Sequence, residues 1–262
     1  MNDKIVLITG STSGIGLEIA KRFASLNVTL IINGLALSDT VKDITNELVN
    51  LGAKEVYYIS ANLSQPNDIV KIFEEIVTKF GHLDILVNNA GIQFVSPIED
   101  FPADRWEEII RVNLVSCFYT IKYAVPIMKK NGWGRIINIA STHAIVASPF
   151  KSAYVAAKHG LLGLTKTVAL EVAEHNITVN AICPGYVKTQ LVLNQIADTA
   201  KARNITEESV IRDIILHSQA TKKFVEIAEI AEIAEMVIFL SSKNASSITG
   251  ASLLIDGGWT AQ

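Results

Sequence analysis

Cysteine is nearly absent. The 262 residues contain two, Cys117 and Cys183. Two thiols cannot staple a disulfide framework, and neither has a metal-ligating partner at short spacing, so no metal is expected. Both read as small buried apolar residues. Excess charge of either sign is missing too: 23 Lys and Arg stand against 26 Asp and Glu, a net charge of −3. That balance gives no reason to expect a nucleic acid or an anionic membrane surface as partner. No uninterrupted apolar stretch reaches the ~20 residues needed to span a bilayer. Met1-Asn2-Asp3-Lys4 runs straight into an apolar strand pattern, so no secretory leader is expected. No linker or low-complexity segment divides the chain. The expectation is a reduced, cytoplasmic protein with residues 1–262 in one domain.

What is present is a regular alternation of short apolar runs with helical patterns. Strands are predicted at Lys4–Thr9, Val28–Asn33, Glu55–Ser60, Leu83–Asn88, Gly134–Ser141, Ile177–Cys183 and Ser252–Asp256. Helices are predicted from the turn after Thr9 to about Asn27, then from a Ser38 cap to about Leu51. Others cover Gln65–Phe80 with Pro66 in the first turn, Ala103–Lys130, Ser152–His175, Gln190–Gln219 and Glu226–Ser241. Seven strands alternating with helices imply one parallel sheet covered on both faces, a doubly wound α/β fold. Glu226–Glu235 is a three-residue repeat, EIAEIAEIAE, read as a well-formed amphipathic helix without assigned function.

Gly10–Gly16, GSTSGIG, follows the first strand and opens a helix. Glycines at 10, 14 and 16 permit a tight turn and close backbone approach, and the helix N-terminus offers free N–H groups to a pyrophosphate. The strand–turn–helix context makes this a dinucleotide site. The end of the second strand should meet the adenosine ribose. There the chain has Asn33-Gly34-Leu35-Ala36, and Ser13 stands inside the turn. With no cation to receive a 2′-phosphate, NAD is expected over NADP.

Tyr154 and Lys158, four apart at a helix start, share one face. A tyrosine titrates near ~10 in isolation, and a neighbouring ammonium favours the phenolate, making it a base closer to neutral pH. Ser141, at the end of the preceding strand, could hold the reacting oxygen.

These features together resemble the short-chain dehydrogenase/reductase family over essentially the whole chain. The matching residues are Gly10-x-x-x-Gly14-x-Gly16, Asn88-Asn89-Ala90-Gly91, Asn113, Ser141, Tyr154-x-x-x-Lys158 and Pro184-Gly185. The resemblance implies a Rossmann-like fold and a homotetramer. It implies Tyr154 as general acid/base, Lys158 as its partner and ribose ligand, Ser141 on the substrate oxygen, and Asn113 anchoring a water. The cofactor set it implies is Gly10, Thr12, Ser13, Gly14, Ile15, Gly16, Asn33, Asn62, Leu63, Asn89, Ala90, Gly91, Tyr154, Lys158, Pro184, Gly185, Val187 and Thr189. Asn62 stands where the family often has Asp, which implies altered adenine affinity rather than loss of NAD.

Within the family, NNAGIQ at 88–93, GRIINIASTH at 134–143, KSAYVAAKHG at 151–160 and DGGWTA at 256–261 resemble the dehydrogenases of D-3-hydroxybutyrate. Substrate contacts implied are Gln93, His143, Lys151 and Gln195 on a small carboxylate, with Ser141, Tyr154, Tyr186 and Trp259 around it. Tyr186 replaces the expected Trp, which opens the question of pocket size. Lys151 should lie in the first helical turn, where a cation opposes the helix dipole; that local cost suggests a role. The tail bearing Trp259 is implied to approach another subunit's pocket, and residues 190–219 to form a helical lid. The implied reaction is oxidation of (R)-3-hydroxybutyrate by NAD to acetoacetate. Two other readings stand beside it: an NADPH-dependent 3-oxoacyl thioester reductase, which needs a cation near Ser13 or Gly34, and a non-catalytic nicotinamide sensor on the same fold.

Overall fold

The computed structural model describes residues 1–224 and 230–261. Its sheet has seven parallel strands in the order β3-β2-β1-β4-β5-β6-β7. The strands are β1 Ile5–Ile8, β2 Thr29–Gly34, β3 Glu55–Ser60, β4 Ile85–Asn88, β5 Gly134–Ile139, β6 Ile177–Pro184 and β7 Ser252–Ile255. The chain winds outward from β1 in one direction and from β4 in the other, so the order reverses between them. Every strand therefore ends on the same edge, and in such sheets ligands bind beyond the carboxyl ends at that switch point.

Side-chain alternation in β1 sorts the helices into two layers. Val6 and Ile8 pack with α1 (Gly14–Ala24), α2 (Ser38–Asn50) and α8 (Ile230–Leu240). Ile5 and Leu7 pack with α3 (Pro66–Phe80), α5 (Ser116–Asn131) and α6 (Ser152–Val172). Both cysteines are buried and free, and burial pushes the Cys183 thiol up to about 11 and raises Cys117 as well. No helix among the described residues is long and apolar enough to cross a membrane.

Four expectations need correction. Ser38 is not a cap; Leu37 holds the extended capping position and Ser38 is already helical. The long helix expected at Ala103–Lys130 is three pieces: α4 (Ala103–Ile110), a π-helical turn at Arg111–Val115, and α5. The widened turn accompanies two hydrogen bonds with Ile92, whose carbonyl accepts from Asn113 Nδ2 and whose N–H donates to Asn113 Oδ1, each 2.8 Å. The helix expected over Gln190–Gln219 stops at Arg203, because Asn204 turns left-handed and closes α7 (Gln190–Arg203). Glu207–Ser209, a π-helical turn at Val210–Ile215, and Leu216–Ser218 follow. Finally, β5 ends at Ile139, and Ser141 instead caps a 3₁₀ turn, Thr142–Ala144. Residues 226–229 of the EIA repeat lie outside the described residues; its remainder begins α8.

One polar seam crosses the interior. Asn88 Nδ2 donates to Asn138 Oδ1 at 2.9 Å, Thr120 Oγ1 donates to Asn88 Oδ1 at 2.7 Å, and Asn138 Nδ2 donates to Thr165 Oγ1 at 2.8 Å. All four residues are buried, and the bonds join β4, β5, α5 and α6. We expect Asn138→Ala to destabilise the fold by about 1–3 kcal/mol for each partner left unpaired, read as a lower urea midpoint at unchanged m-value.

Candidate active site

The glycine turn is built at the end of β1. Gly10 and Gly14 hold φ of 60° and 54°, where other residues are strained. A Cβ on Gly10 would sit 2.8 Å from Ala90 Cα. Gly16 has another role: a Cβ there would lie 2.4 Å from both Asn89 Nδ2 and the Gly10 carbonyl, so it lets α1 pack close to the turn. Ser13 caps α1 in extended backbone without a side-chain bond, which leaves the first N–H groups available to an anion.

Asparagines fasten this turn to its neighbours. Asn89 Nδ2 donates to the carbonyls of Thr9 and Gly10, at 3.0 and 2.9 Å, while Thr9 Oγ1 accepts from the N–H of Asn89 and Ala90. Asn33 Nδ2 donates to the carbonyls of Ile59 and Ala61, and its Oδ1 accepts from Gly10 N–H. Its side chain is thus committed to holding β2, β3 and the turn together. Asn62 Oδ1 accepts from Ser64 N–H at 3.0 Å, leaving its amide N–H groups uncommitted. Asn113 is wholly buried and commits its amide to Ile92, so its side chain fixes that loop.

Together these segments enclose a cleft of about 490 Å³, a size suited to a small-molecule ligand. Every expected cofactor residue lines it except Gly16. Ser141, His143, Tyr154, Tyr186, Gln195 and Trp259 line it too, whereas Gln93, Asn113 and Lys151 stand behind its wall. Lys158 and Tyr154 meet as their spacing requires: Lys158 Nζ lies 5.5 Å from the Tyr154 ring centre and donates to the Ile139 carbonyl at 2.8 Å. The broken end of β5 brings Ser141 beside them, its Oγ accepting from His143 N–H at 3.1 Å.

Lys151 departs most from expectation. Phe150, at φ 68°, turns the chain so that Lys151 precedes α6 as its cap and its side chain runs inward. Nζ donates to Tyr186 Oη at 3.1 Å and Gln195 Oε1 at 3.0 Å. It is 6% exposed and has no carboxylate partner among the described residues. Burial, reinforced by Arg203, brings its ammonium down to about 8, so its charge is not fixed. Burial, with Lys151 and His159, brings His143 down to about 3, keeping the ring neutral. Burial also raises the Tyr186 phenol. Tyr186 stacks on Trp259, ring centres 5.1 Å apart. Trp259 lies at the cleft of its own chain, where Asp256 accepts from Gly258 N–H and Thr260 N–H and folds the tail back. Gln93 keeps both amide atoms buried and unpartnered.

Sequence reasoning missed Ser148, whose Oγ lies 2.9 Å from His143 Nε2, and Val192 and Leu35, which line the cleft. Val192 follows a helical spacing from Gln195; a loop serine carries no such signal.

A family model for short chain dehydrogenases matches residues 4–200, and the chain belongs to that family. The protein of Rhizobium meliloti (strain 1021) named D-beta-hydroxybutyrate dehydrogenase is 53% identical over 259 residues, 99% of each chain. That of Cupriavidus necator with the same name is 47% identical over 263 residues, 100% of each. The crystal structure of levodione reductase superposes with a TM-score of 0.89 at 30% identity, covering 100% of this chain and 99% of that one. Membership implies a nicotinamide cofactor, and the start of α1, whose first N–H groups receive no side-chain bond from Ser13, fits one beside two left-handed glycines. We expect Gly16→Ala to lose binding of the reduced cofactor, measured by its fluorescence enhancement, because backbone at 2.4 Å cannot yield to a methyl.

Proposed function

We propose that the chain is an NAD-dependent dehydrogenase of (R)-3-hydroxybutyrate. The observation that carries this reading is the buried Lys151 ammonium. An ammonium has three N–H donors; Tyr186 and Gln195 take two, and no acid among the described residues neutralises the charge. A cation taken out of water at a cost of several kcal/mol is stable there when an anion arrives to pair with it. A small carboxylate supplies that pair and places the neighbouring hydroxyl carbon near Tyr154. The neutral His143 lines that side of the pocket, and Gln93 stands behind the wall with its amide unspent.

The nicotinamide, when bound, supplies the hydride acceptor. Ser141 holds the substrate oxygen, and Tyr154 takes the hydroxyl proton as hydride leaves C3, giving acetoacetate. Lys158 steadies Tyr154 and binds the ribose, and Asn113 acts by fixing Ile92. NAD is favoured over NADP because Lys158, remote from the adenosine end, is the only cation among the described residues lining the cleft. The same absence weighs against a 3-oxoacyl reductase.

Residues 190–219 form the lid. Gln195, on α7, closes over Lys151, so α7 has to move to admit the acid. The enzyme is cytoplasmic. It assembles as a homotetramer, a reading supported by Phe118 and Leu170, 46% and 82% exposed on α5 and α6.

Tyr154→Phe should abolish turnover and leave NADH binding nearly intact; retention of most of the rate would remove Tyr154 as base. Lys151→Met should raise KM for the acid, the loss of a charge-assisted bond being worth about 1.5–3 kcal/mol, or ten- to a hundred-fold. The pH dependence follows from the sign of the shift. Lys151 is charged below its value of about 8 and neutral above it. In kcat/KM, which reports the free enzyme, the wild type should therefore decline above about pH 8, and Lys151→Met should lack that decline.

A further inference from the structure

We propose that Arg203 is a positioning residue for Lys151: seated on the Phe150 ring, it holds the left-handed turn that sends the Lys151 side chain inward to the pocket. The role rests on the reading of Lys151 as the group that binds the carboxylate.

Phe150 is the strained point of the segment. Its φ of 68° is an uncommon conformation for a bulky residue. The other non-glycine residues at positive φ are Asp3, Asn27, Asn176, Asn204 and Lys222, and four of these five are the short polar types that tolerate it. Such strain persists only where the surroundings over-determine the backbone. Two contacts do so here. The Phe150 carbonyl accepts from the N–H of Ser96 at 3.0 Å, and Ser96 is buried. On the other side, Arg203 Cζ lies 5.2 Å from the centre of the Phe150 ring, within the distance at which an aromatic face attracts a guanidinium. A pinned carbonyl and a pinned ring together fix the orientation of the Cα between them. With the ring released, φ can relax to the ordinary negative range, and the rotation turns Lys151 away from Tyr186 and Gln195.

Arg203 is the last residue of α7, and its Nε is buried without a hydrogen-bond partner among the described residues. The same helix carries Gln195, whose Oε1 accepts from Lys151 Nζ at 3.0 Å. α7 thus grips the Phe150–Lys151 pair at two points, about 12 Å apart along its axis. A substrate treats the two differently. An entering carboxylate competes with Gln195 for the ammonium. Neither Arg203 nor Phe150 lines the cleft, so nothing bound there competes for the ring. The Arg203 end keeps Lys151 aimed while the Gln195 end opens.

The test needs no turnover, so its failure is separable from failure of the hydroxy-acid reading. The rate at which acetic anhydride acetylates Lys151, followed across pH by peptide mass spectrometry, gives the pKa of that amine. The wild type should titrate at about 8. Phe150→Leu removes the ring but keeps both cations, so charge repulsion alone predicts no change. Released to solvent, Lys151 in this variant should instead titrate towards the ordinary lysine value of ~10.4. Arg203→Met should do the same, and the double variant should go no further than the larger single one. Lys158, buried on the helix that Lys151 precedes, is the control and should keep its wild-type rate. Each single variant should also raise KM for (R)-3-hydroxybutyrate about three- to tenfold with kcat little changed, the range expected from one lost cation–π contact. A wild-type Lys151 that titrates as an ordinary lysine overturns the proposal. So does either single variant that still titrates at about 8, a double variant that shows the sum of the two effects, or a Lys158 rate that rises in step with that of Lys151.

Discussion

Asn138 sits wholly buried in the middle of the sheet and bonds in two directions, accepting from Asn88 and donating to Thr165. The placement of the site depends on that pair of bonds. Asn88 ends β4, immediately before the Asn89–Gly91 segment that clasps the glycine turn. Thr165 lies on α6, the helix that opens with Tyr154 and Lys158. An apolar core of the same volume would hold β4 and α6 together as well, but would tolerate small slides between them. Directional bonds between amides in a low-dielectric interior do not. The glycine turn and the Tyr154–Lys158 pair are thereby fixed to one frame.

Around that frame, the polar side chains divide by whether their bonding capacity is spent. Asn33, Asn89 and Asn113 give their amides to backbone groups, and each joins two segments that border the cleft. Their contribution to any reaction is geometric. Lys151 and Gln93 are the opposite case, with donors or acceptors buried and unclaimed. Unclaimed capacity in the interior costs free energy, and it persists in a pocket because a ligand completes it. The carboxylate clamp is read from that contrast.

The strands were legible to within a residue or two, because each is a short β-branched run closed by glycine, asparagine or serine. The glycine turn and the Tyr154–Lys158 pair were equally plain, since spacing alone places them. What escaped depends on backbone geometry or on distant partners. No break in apolar spacing marks the π-helical turn at Arg111–Val115; it accompanies the grip of Asn113 on Ile92. The inward course of Lys151 follows from the left-handed Phe150, an unusual conformation for an aromatic residue. The end of α7 did carry a signal, Asn204 ahead of a Thr206 that caps the next turn, overlooked because the helical pattern resumes. Asn33 offered its amide to either a ribose or the backbone, and only the folded arrangement shows the backbone taking it.

The central claim is that a buried, unpaired ammonium selects a short hydroxy acid for oxidation by NAD. Its most direct test is the initial rate of NADH formation with (R)-3-hydroxybutyrate, run beside the (S) enantiomer, beside 2-butanol as the same chain without a carboxylate, and with NADP in place of NAD. The account predicts fast turnover with the (R) acid and NAD and little with the other three. Turnover of 2-butanol equal to that of the (R) acid, or none with either enantiomer of the acid, would contradict it.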